Sequence, residues 1–282
     1  MDITTKPRFD LAKKTLSAPL LKVLKHIFLS GPEDLRDANP TKYPELLRDV
    51  KATKYHEGCG LVGGTALAGF YAAHRKSDDL DFFTASQESQ KAIVLAVKSC
   101  SDFGLVFHKE FHTAQYYKAT CSLNEYNFTI DTVCDPALFK VGTFENTEHN
   151  IRVANLETLL MTKSAVLLSR CSEKDLYDVL WLLQNIPGLT IEKLLDYGSK
   201  IDAGLNGETL LLSVSGAIIK EEACGFFLEP MPFKASSKIT KKEIFTQIQK
   251  FKNELCKTLS LYLKNQPVPE LADLIKKIKK LA

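Results

Sequence analysis

Two aspartates separated by one residue stand in a short apolar and aromatic segment, DLDFF at 79–83. Polar residues bound the segment, so it is predicted to form a strand. Residues two apart in a strand project to one face, and Asp79 and Asp81 are therefore expected to point the same way. Such a pair repels itself unless a cation lies between the carboxylates, and hard oxygen ligands suit Mg²⁺. An exposed acidic strand edge, or neutralisation by the two basic residues just before the segment, would explain the same pattern.

A third aspartate, Asp131, lies between Ile130 and Thr132 in a predicted strand over 126–133. An acid in such an apolar, β-rich segment needs a partner. If this strand lies beside the one that carries Asp79 and Asp81, the three carboxylates could hold two Mg²⁺ ions about 4 Å apart. Paired ions of this kind clamp the attacking and leaving oxygens of a phosphoryl or nucleotidyl transfer.

A glycine turn precedes the paired aspartates. Gly63, Gly64 and Thr65 follow a short apolar piece at 61–62 and open a predicted helix over 65–74. Glycine permits a tight turn and a close approach of the backbone to a ligand. The unpaired N–H groups at the start of a helix suit a phosphate. A Gly-Gly turn before a helix is also common for structural reasons alone.

The elements that must position these residues change in character along the chain. The first half mixes strands and helices, and the second half is mainly helical, so the fold class is predicted as α/β (α+β) with a small mixed sheet. Domains are predicted over 1–155 and 156–282. Strands are predicted over 61–62, 79–83, 107–112, 115–123 and 126–133. Helices are predicted over 18–29, 44–55, 65–74, 86–101, 156–169, 173–183, 191–197, 240–263 and 271–281.

Composition excludes several classes of protein. With 45% hydrophobic and 25% charged residues, the 282-residue chain is not disordered, collagen-like or coiled-coil. No apolar run approaches the roughly 18 residues of a membrane span, and the first residues lack a secretory signal, so no membrane association is expected. Seven cysteines without a CxxC pair indicate free thiols in a reducing cytoplasm.

Charge is unevenly distributed, although the net charge is only +3. Residues 231–282 contain twelve lysines against four acidic residues. This basic end is compatible with a polyanionic partner such as RNA. A lysine-rich helix face in contact with water is the simpler interpretation.

The order of glycine turn, helix, DxD strand and later Asp strand is that of polymerase-beta-like nucleotidyltransferases. The segment LVGGTALAGFYAAHRKSDDLDFF (61–83) resembles the glycine-turn and DxD segment of the AbiEii/AbiGii toxin family. The segment LETLLMTKSAVLLSRCSEKDLYDVLWLL (156–183) resembles the family's second segment. The resemblance covers residues 58–185 and implies a nucleotidyltransferase core followed by a mainly helical region.

The resemblance also implies roles for individual residues. Asp79, Asp81 and Asp131 would bind Mg²⁺. Asp131 could instead act as the base that accepts the proton of the acceptor hydroxyl. Lys163 would be a further catalytic residue. Contacts to the nucleotide are implied for Gly63, Gly64, Thr65, Arg75, Ser77, Lys174, Asp175 and Asp178.

Simpler roles remain open for five of these residues. Arg75 and Ser77 could simply hold their loop. Lys163 lies in an apolar helical stretch, so its ammonium needs an anion such as a nucleotide phosphate, unless the side chain reaches the surface. Lys174 and Asp178 are spaced as a helix-surface salt bridge.

The function implied is a Mg²⁺-dependent transfer of a nucleoside monophosphate from an NTP to a hydroxyl. The family implies the toxin of a type IV toxin–antitoxin or phage-defence pair, with an antitoxin partner and tRNA as the acceptor. Two alternatives stay open. One is transfer to a protein or a small molecule, and the other is a nucleotide-binding module without turnover.

Overall fold

The computed structural model describes residues 6–29, 58–228, 240–268, 270–276 and 278. The helix predicted over 44–55 lies outside them, and so does much of the end of the helix predicted over 271–281. The described residues combine a mixed sheet with helices, which confirms the predicted α/β class. None of the described helices is both long enough and apolar enough to cross a membrane.

The chain divides into two compact units. The first, called the sheet unit, contains the described residues up to Ala73 together with Ser77–Asn155. The second, called the helical unit, contains His74–Lys76 and the described residues from Leu156 onward. Because compactness alone does not show independent folding, the predicted domains 1–155 and 156–282 stay a prediction.

Seven strands form the sheet within the described residues, in the order β3-β4-β5-β2-β1-β7-β6. The pairs β2–β5 and β1–β7 are parallel, and the other neighbours are antiparallel. The strands are β1 (Cys59–Val62), β2 (Asp79–Thr84), β3 (Val106–His112), β4 (Tyr116–Leu123), β5 (Tyr126–Cys134), β6 (Phe144–Asn146) and β7 (Arg152–Ala154).

Helices of the sheet unit precede and connect these strands. They are α1 (Phe9–Thr15), α2 (Ala18–Leu29), α3 (Gly63–Leu67), which continues as a π-helical turn over Ala68–Ala72, α4 (Gln87–Ser99), which continues as a 3₁₀ turn over Cys100–Phe103, and α5 (Pro136–Val141). Ser86 caps α4 by accepting a hydrogen bond from the Ser89 N–H, as expected for serine at a helix start. α4 packs against β1, β2 and β5.

The middle of the sheet shows why its two faces differ. Burial alternates along β2 and along most of β5, as the period of two in a strand requires. Leu80, Phe82 and Ile130 are fully buried, whereas the residues between them on both strands are half-buried. Asp79, Asp81, Thr129 and Asp131 are thereby directed to the other, half-buried face.

The helical unit is built from amphipathic helices that pack around the largely buried helix α6. Its main contacts join α6 to α7, α8 and α9, and join α10 to α7 and α9. The helices are α6 (Leu156–Ser169), α7 (Glu173–Asn185), α8 (Ile191–Ser199), α9 (Gly207–Gly216), α10 (Lys241–Leu263) and α11 (Leu271–Lys276), with a 3₁₀ segment over Glu222–Leu228. The sequence did not predict α9, whose apolar residues are interrupted by serine and glycine.

Candidate active site

Three aspartates share one face of the sheet. β2 and β5 pair in parallel, and Asp81 lies directly beside Asp131 in the register. Asp79 stands two residues before Asp81 and therefore projects to the same face. All three residues are half-buried. Since neighbouring strands lie about 4.8 Å apart, Asp81 and Asp131 are close enough to contact one ligand.

The glycine turn lies directly against Asp81. Val62, the last residue of β1, pairs with Asp81 on β2. The next residue, Gly63, has a φ of +71°. A Cβ added to Gly63 would lie 2.1 Å from Asp81 Oδ2. Glycine is therefore required here both by the left-handed backbone and by the nearness of the carboxylate.

The Thr65 hydroxyl forms hydrogen bonds with other residues of the sheet unit. Thr65 is fully buried, and its Oγ1 donates to the backbone carbonyl of Asp79. Ser77 Oγ lies 3.0 Å from Thr65 Oγ1. A hydroxyl has a single hydrogen, so Thr65 accepts from Ser77 while it donates to the carbonyl. These two side chains thus tie α3 to the start of β2, and their contact with phosphate stays a prediction.

Asp131 is held by two residues of β4. Lys118 lies opposite Asp131 in the antiparallel pair, and its Nζ is 3.2 Å from Asp131 Oδ2 and 3.3 Å from Oδ1. The Tyr116 hydroxyl donates to Asp131 Oδ1. Burial and the hydrogen bond to Asp131 raise the pKa of Tyr116 to about 12, so the phenol remains a donor at neutral pH. Asp131 therefore has a cation and a neutral donor as partners.

Asp79 has a partner on β5. Thr129 pairs with Asp79 in the register, and Thr129 Oγ1 donates to Asp79 Oδ1 over 2.6 Å. A hydrogen bond from the hydroxyl limits the rotation of the carboxylate. Thr129 thus orients one of the two carboxylates of the DxD pair.

Sequence reasoning missed Lys118, Tyr116 and Thr129, although a signal for the first was present. The strands predicted over 115–123 and 126–133 are separated by only two residues, which is the spacing of a tight hairpin. Both turn residues, Asn124 and Glu125, have positive φ. Counting outward from such a turn places Lys118 opposite Asp131.

The candidate ligands of the divalent cation that the sequence implies are Asp79, Asp81 and Asp131. Three carboxylates on one face supply the hard oxygen donors that such an ion prefers. In the part of the chain that the structure describes, however, no group of three or more His, Cys, Asp or Glu side chains is arranged to hold a metal ion. Lys118 and Tyr116 already form hydrogen bonds to the oxygens of Asp131, Lys118 to both and Tyr116 to Oδ1. The residue types fit the ion, but the ligands are not preassembled.

The remaining predicted residues belong to the helical unit. Lys163 Nζ lies 2.7 Å from Asp178 Oδ2 and 3.6 Å from Asp175 Oδ1. Arg75 forms a bidentate pair with Asp178, with Nε and Nη2 at 2.7 and 2.8 Å from its two oxygens. All four residues are buried, and we call Arg75, Lys163, Asp175 and Asp178 the buried ion cluster.

The cluster decides several alternatives that the sequence left open. Lys163 is only 6% exposed, so the interpretation as a lysine that reaches the surface is wrong. The structure supplies carboxylates as the anions that its ammonium needs. Asp178 is fully buried and does not belong to a helix-surface salt bridge, whereas Lys174 is exposed on α7. Nucleotide contacts by these residues stay a prediction.

Charge balance sets the ionisation of the two buried aspartates. Burial by itself raises the pKa of Asp178, but Arg75 and Lys163 outweigh it and hold that pKa well below 3.8. Burial likewise raises the pKa of Asp175, and the hydrogen bond from Arg170 is the largest of the effects that bring it below its ordinary value. Ser172, which caps α7, also donates to Asp175. Both aspartates are therefore ionised at neutral pH.

His74 is a further buried partner that the sequence did not reveal. Its Nε2 lies 2.8 Å from Asp178 Oδ1, and its ring stacks on Tyr177 at 5.4 Å between centroids. His74 Nδ1 has no hydrogen-bond partner among the described residues. Burial lowers the pKa of His74, although Asp178 acts in the opposite direction. The neutral ring with a hydrogen on Nε2 satisfies this geometry.

A sheet with paired carboxylates beside a glycine turn is the arrangement expected of a nucleotidyltransferase, and the comparison with protein families agrees. The family model described as "Nucleotidyl transferase AbiEii toxin, Type IV TA system" matches residues 45–237, more than half of the chain. The chain belongs to this AbiEii family and is a nucleotidyltransferase. The resemblance stated from the two sequence segments is thereby confirmed.

Comparison with individual proteins adds less. No curated protein matches the sequence significantly. The structure of JHP933 from Helicobacter pylori is similar with a TM-score of 0.43 and 18% identity, over 89% of this chain and 97% of that one. MenT4, a nucleotidyltransferase toxin from Mycobacterium tuberculosis, has a TM-score of 0.39 and 15% identity, over 86% and 98%. Because both scores are below 0.5, family membership rests on the sequence match.

Proposed function

We propose that this protein transfers a nucleoside monophosphate from an NTP to an acceptor hydroxyl. The acceptor oxygen forms a bond to the α-phosphorus, the bond between the α- and β-phosphates breaks, and pyrophosphate leaves. The observation that carries the proposal is the placement of Asp81 beside Asp131, with Asp79 on the same face and Gly63 against the Asp81 carboxylate. Three carboxylates on one face can hold the divalent cation that would neutralise charge on the phosphates of an NTP.

The three carboxylates have different proposed roles. Asp79 and Asp81 would hold Mg²⁺, which when bound supplies positive charge to the phosphate oxygens. Asp131 would serve as a third ligand or would accept the proton of the acceptor hydroxyl. Thr129 keeps Asp79 oriented through its hydrogen bond of 2.6 Å. Positioning and charge neutralisation are then the main sources of rate acceleration.

Backbone groups are proposed to hold the triphosphate. The chain passes from β1 into α3 at Gly63, where the absence of a Cβ lets the backbone lie against the Asp81 side chain. A phosphate bound to the N–H groups of Gly63 and Gly64 would therefore lie near the carboxylates and their ion. The Thr65 hydroxyl donates to the Asp79 carbonyl, and this hydrogen bond ties the glycine turn to the start of β2.

The acceptor proposed here is an RNA, with tRNA the example implied by the family, and the partner is an antitoxin. α10 presents a row of exposed lysines that suits a polyanion, because phosphate contacts dominate nucleic-acid affinity. They are Lys241, Lys242, Lys250 and Lys257. All seven cysteines are free thiols, which agrees with the cytoplasm as the proposed location.

Transfer is tested by incubating the full chain with each labelled NTP, Mg²⁺ and total RNA. We expect label on an RNA band, and we expect the double variant Asp79→Asn/Asp81→Asn to lose at least about a hundredfold of that activity. The matched control is Asp102→Asn, an exposed aspartate of the same unit. If the label appeared on a protein or on a small molecule instead, the acceptor would not be RNA. Undiminished transfer by the double variant would exclude the proposed ligands.

A further inference from the structure

A positive charge lies in the same row of the sheet as two of the carboxylates. Lys118 on β4 pairs with Asp131 on β5, and Asp131 pairs with Asp81 on β2. Directly opposed side chains on neighbouring strands lie about 5 Å apart. Across the sheet the row therefore contains Lys118, Asp131 and Asp81 in that order. On β1 it ends at Val62, the residue before the glycine turn.

Lys118 is built to hold Asp131 and is also able to leave it. The Asp131 side chain is only 15% exposed, so its charge needs a nearby counter-ion. The Lys118 side chain is 45% exposed and lies on a flexible four-carbon stem. Its ammonium can therefore move without any change in the backbone of β4. The Tyr116 hydroxyl, which also binds Asp131, is neutral and repels a cation much less.

A divalent cation at Asp131 and the ammonium of Lys118 exclude one another. Both need the same carboxylate oxygens, and like charges at such a distance repel. We propose that Lys118 is the resident counter-ion of Asp131 and competes with the divalent cation for it in the nucleotide-free protein. The third carboxylate becomes a metal ligand only when Lys118 withdraws. This inference rests on the metal site of the proposed function and adds a residue that regulates its occupancy.

Direct binding of Mn²⁺ to the nucleotide-free full chain, followed by electron paramagnetic resonance, tests the competition. We expect Lys118→Met to bind Mn²⁺ about tenfold more tightly than the wild type, because both the ion pair and the repulsion are removed. Lys118→Arg keeps the charge and should bind like the wild type. Lys98→Met is the matched control, since Lys98 pairs with Glu110 on another strand of the sheet unit, and it should change nothing.

A double variant separates competition at Asp131 from a general effect of charge. In an Asp131→Asn background, Lys118→Met should no longer tighten Mn²⁺ binding, because the shared carboxylate is absent. The same tightening in both backgrounds, or none with Asp131 intact, would overturn the role of Lys118. If neither the wild type nor Lys118→Met binds Mn²⁺, or if Asp79→Asn/Asp81→Asn binds normally, the metal site itself is wrong and the proposed function fails with it.

Discussion

The backbone of Gly63 lies so close to Asp81 that a Cβ on the glycine would be 2.1 Å from the carboxylate oxygen Oδ2. The glycine also has a φ of +71°, in the left-handed region. The turn from β1 into α3 and the carboxylate of Asp81 on β2 are thus mutually dependent. A substitution at Gly63 must distort the backbone or displace Asp81.

Gly63→Ala should impair both stability and activity, and Gly188 provides the comparison. Gly188 has a similar φ of +69°, but nothing lies within 4 Å of its added Cβ. Gly188→Ala should therefore cost only the backbone strain of about 1 kcal/mol. Gly63→Ala should cost more and should lower transferase activity at least about tenfold, as measured by urea unfolding and by the labelled-NTP assay. Equal effects of the two substitutions would show that Asp81 tolerates the intrusion.

Asp178→Asn should destabilise the protein by about 3–5 kcal/mol, because it leaves Arg75 and Lys163 buried with too little negative charge. Both cations lie within 2.7 Å of Asp178 oxygens in the wild type. Urea unfolding of the purified variant measures the loss.

The control for that substitution is Asp196→Asn, which breaks the exposed pair with Lys200 at 2.7 Å. An exposed ion pair contributes little, so no measurable loss is expected there. If Asp178→Asn were as stable as the control, the buried ion cluster would not be a source of stability.

His74 should make the protein less stable as the pH falls below neutrality. The pKa of His74 is lowered from 6.5 in the folded state, mainly by burial. Below pH 6.5 the unfolded state therefore binds a proton that the folded state resists, and unfolding becomes more favourable. The contribution of neutral His74 to the free energy of unfolding is complete above pH 6.5. It is lost as the pH falls through the pKa of His74 in the folded state.

His74→Gln tests this pH dependence, because glutamine keeps an N–H donor but does not titrate. Urea unfolding at several pH values between about 7.5 and 5.5 should give a shallower dependence for the variant than for the wild type. His108→Gln, at an exposed histidine that contacts Ser122, should keep the wild-type dependence. A wild-type dependence in His74→Gln would assign the effect to another group.

Local pattern was enough to predict most of the elements. The helices predicted over 86–101 and 156–169 and the strands predicted over 115–123 and 126–133 are present within one or two residues at each end. Periodicity succeeds there because each segment has a continuous apolar face. The strands β6 and β7, of three residues each, were not predicted because so short a segment has no period.

The sequence by itself determined that Asp79 and Asp81 share a face, since alternation along one strand is a matter of local stereochemistry. The two-residue turn also held the signal for pairing Lys118 with Asp131, because such a turn sets the register of a hairpin, although sequence reasoning missed it. Only the tertiary structure decided that β5 lies parallel to β2, and that Asp178 is the anion beside Lys163. Those partners are remote along the chain, and the packing of whole elements around a common core brings them together.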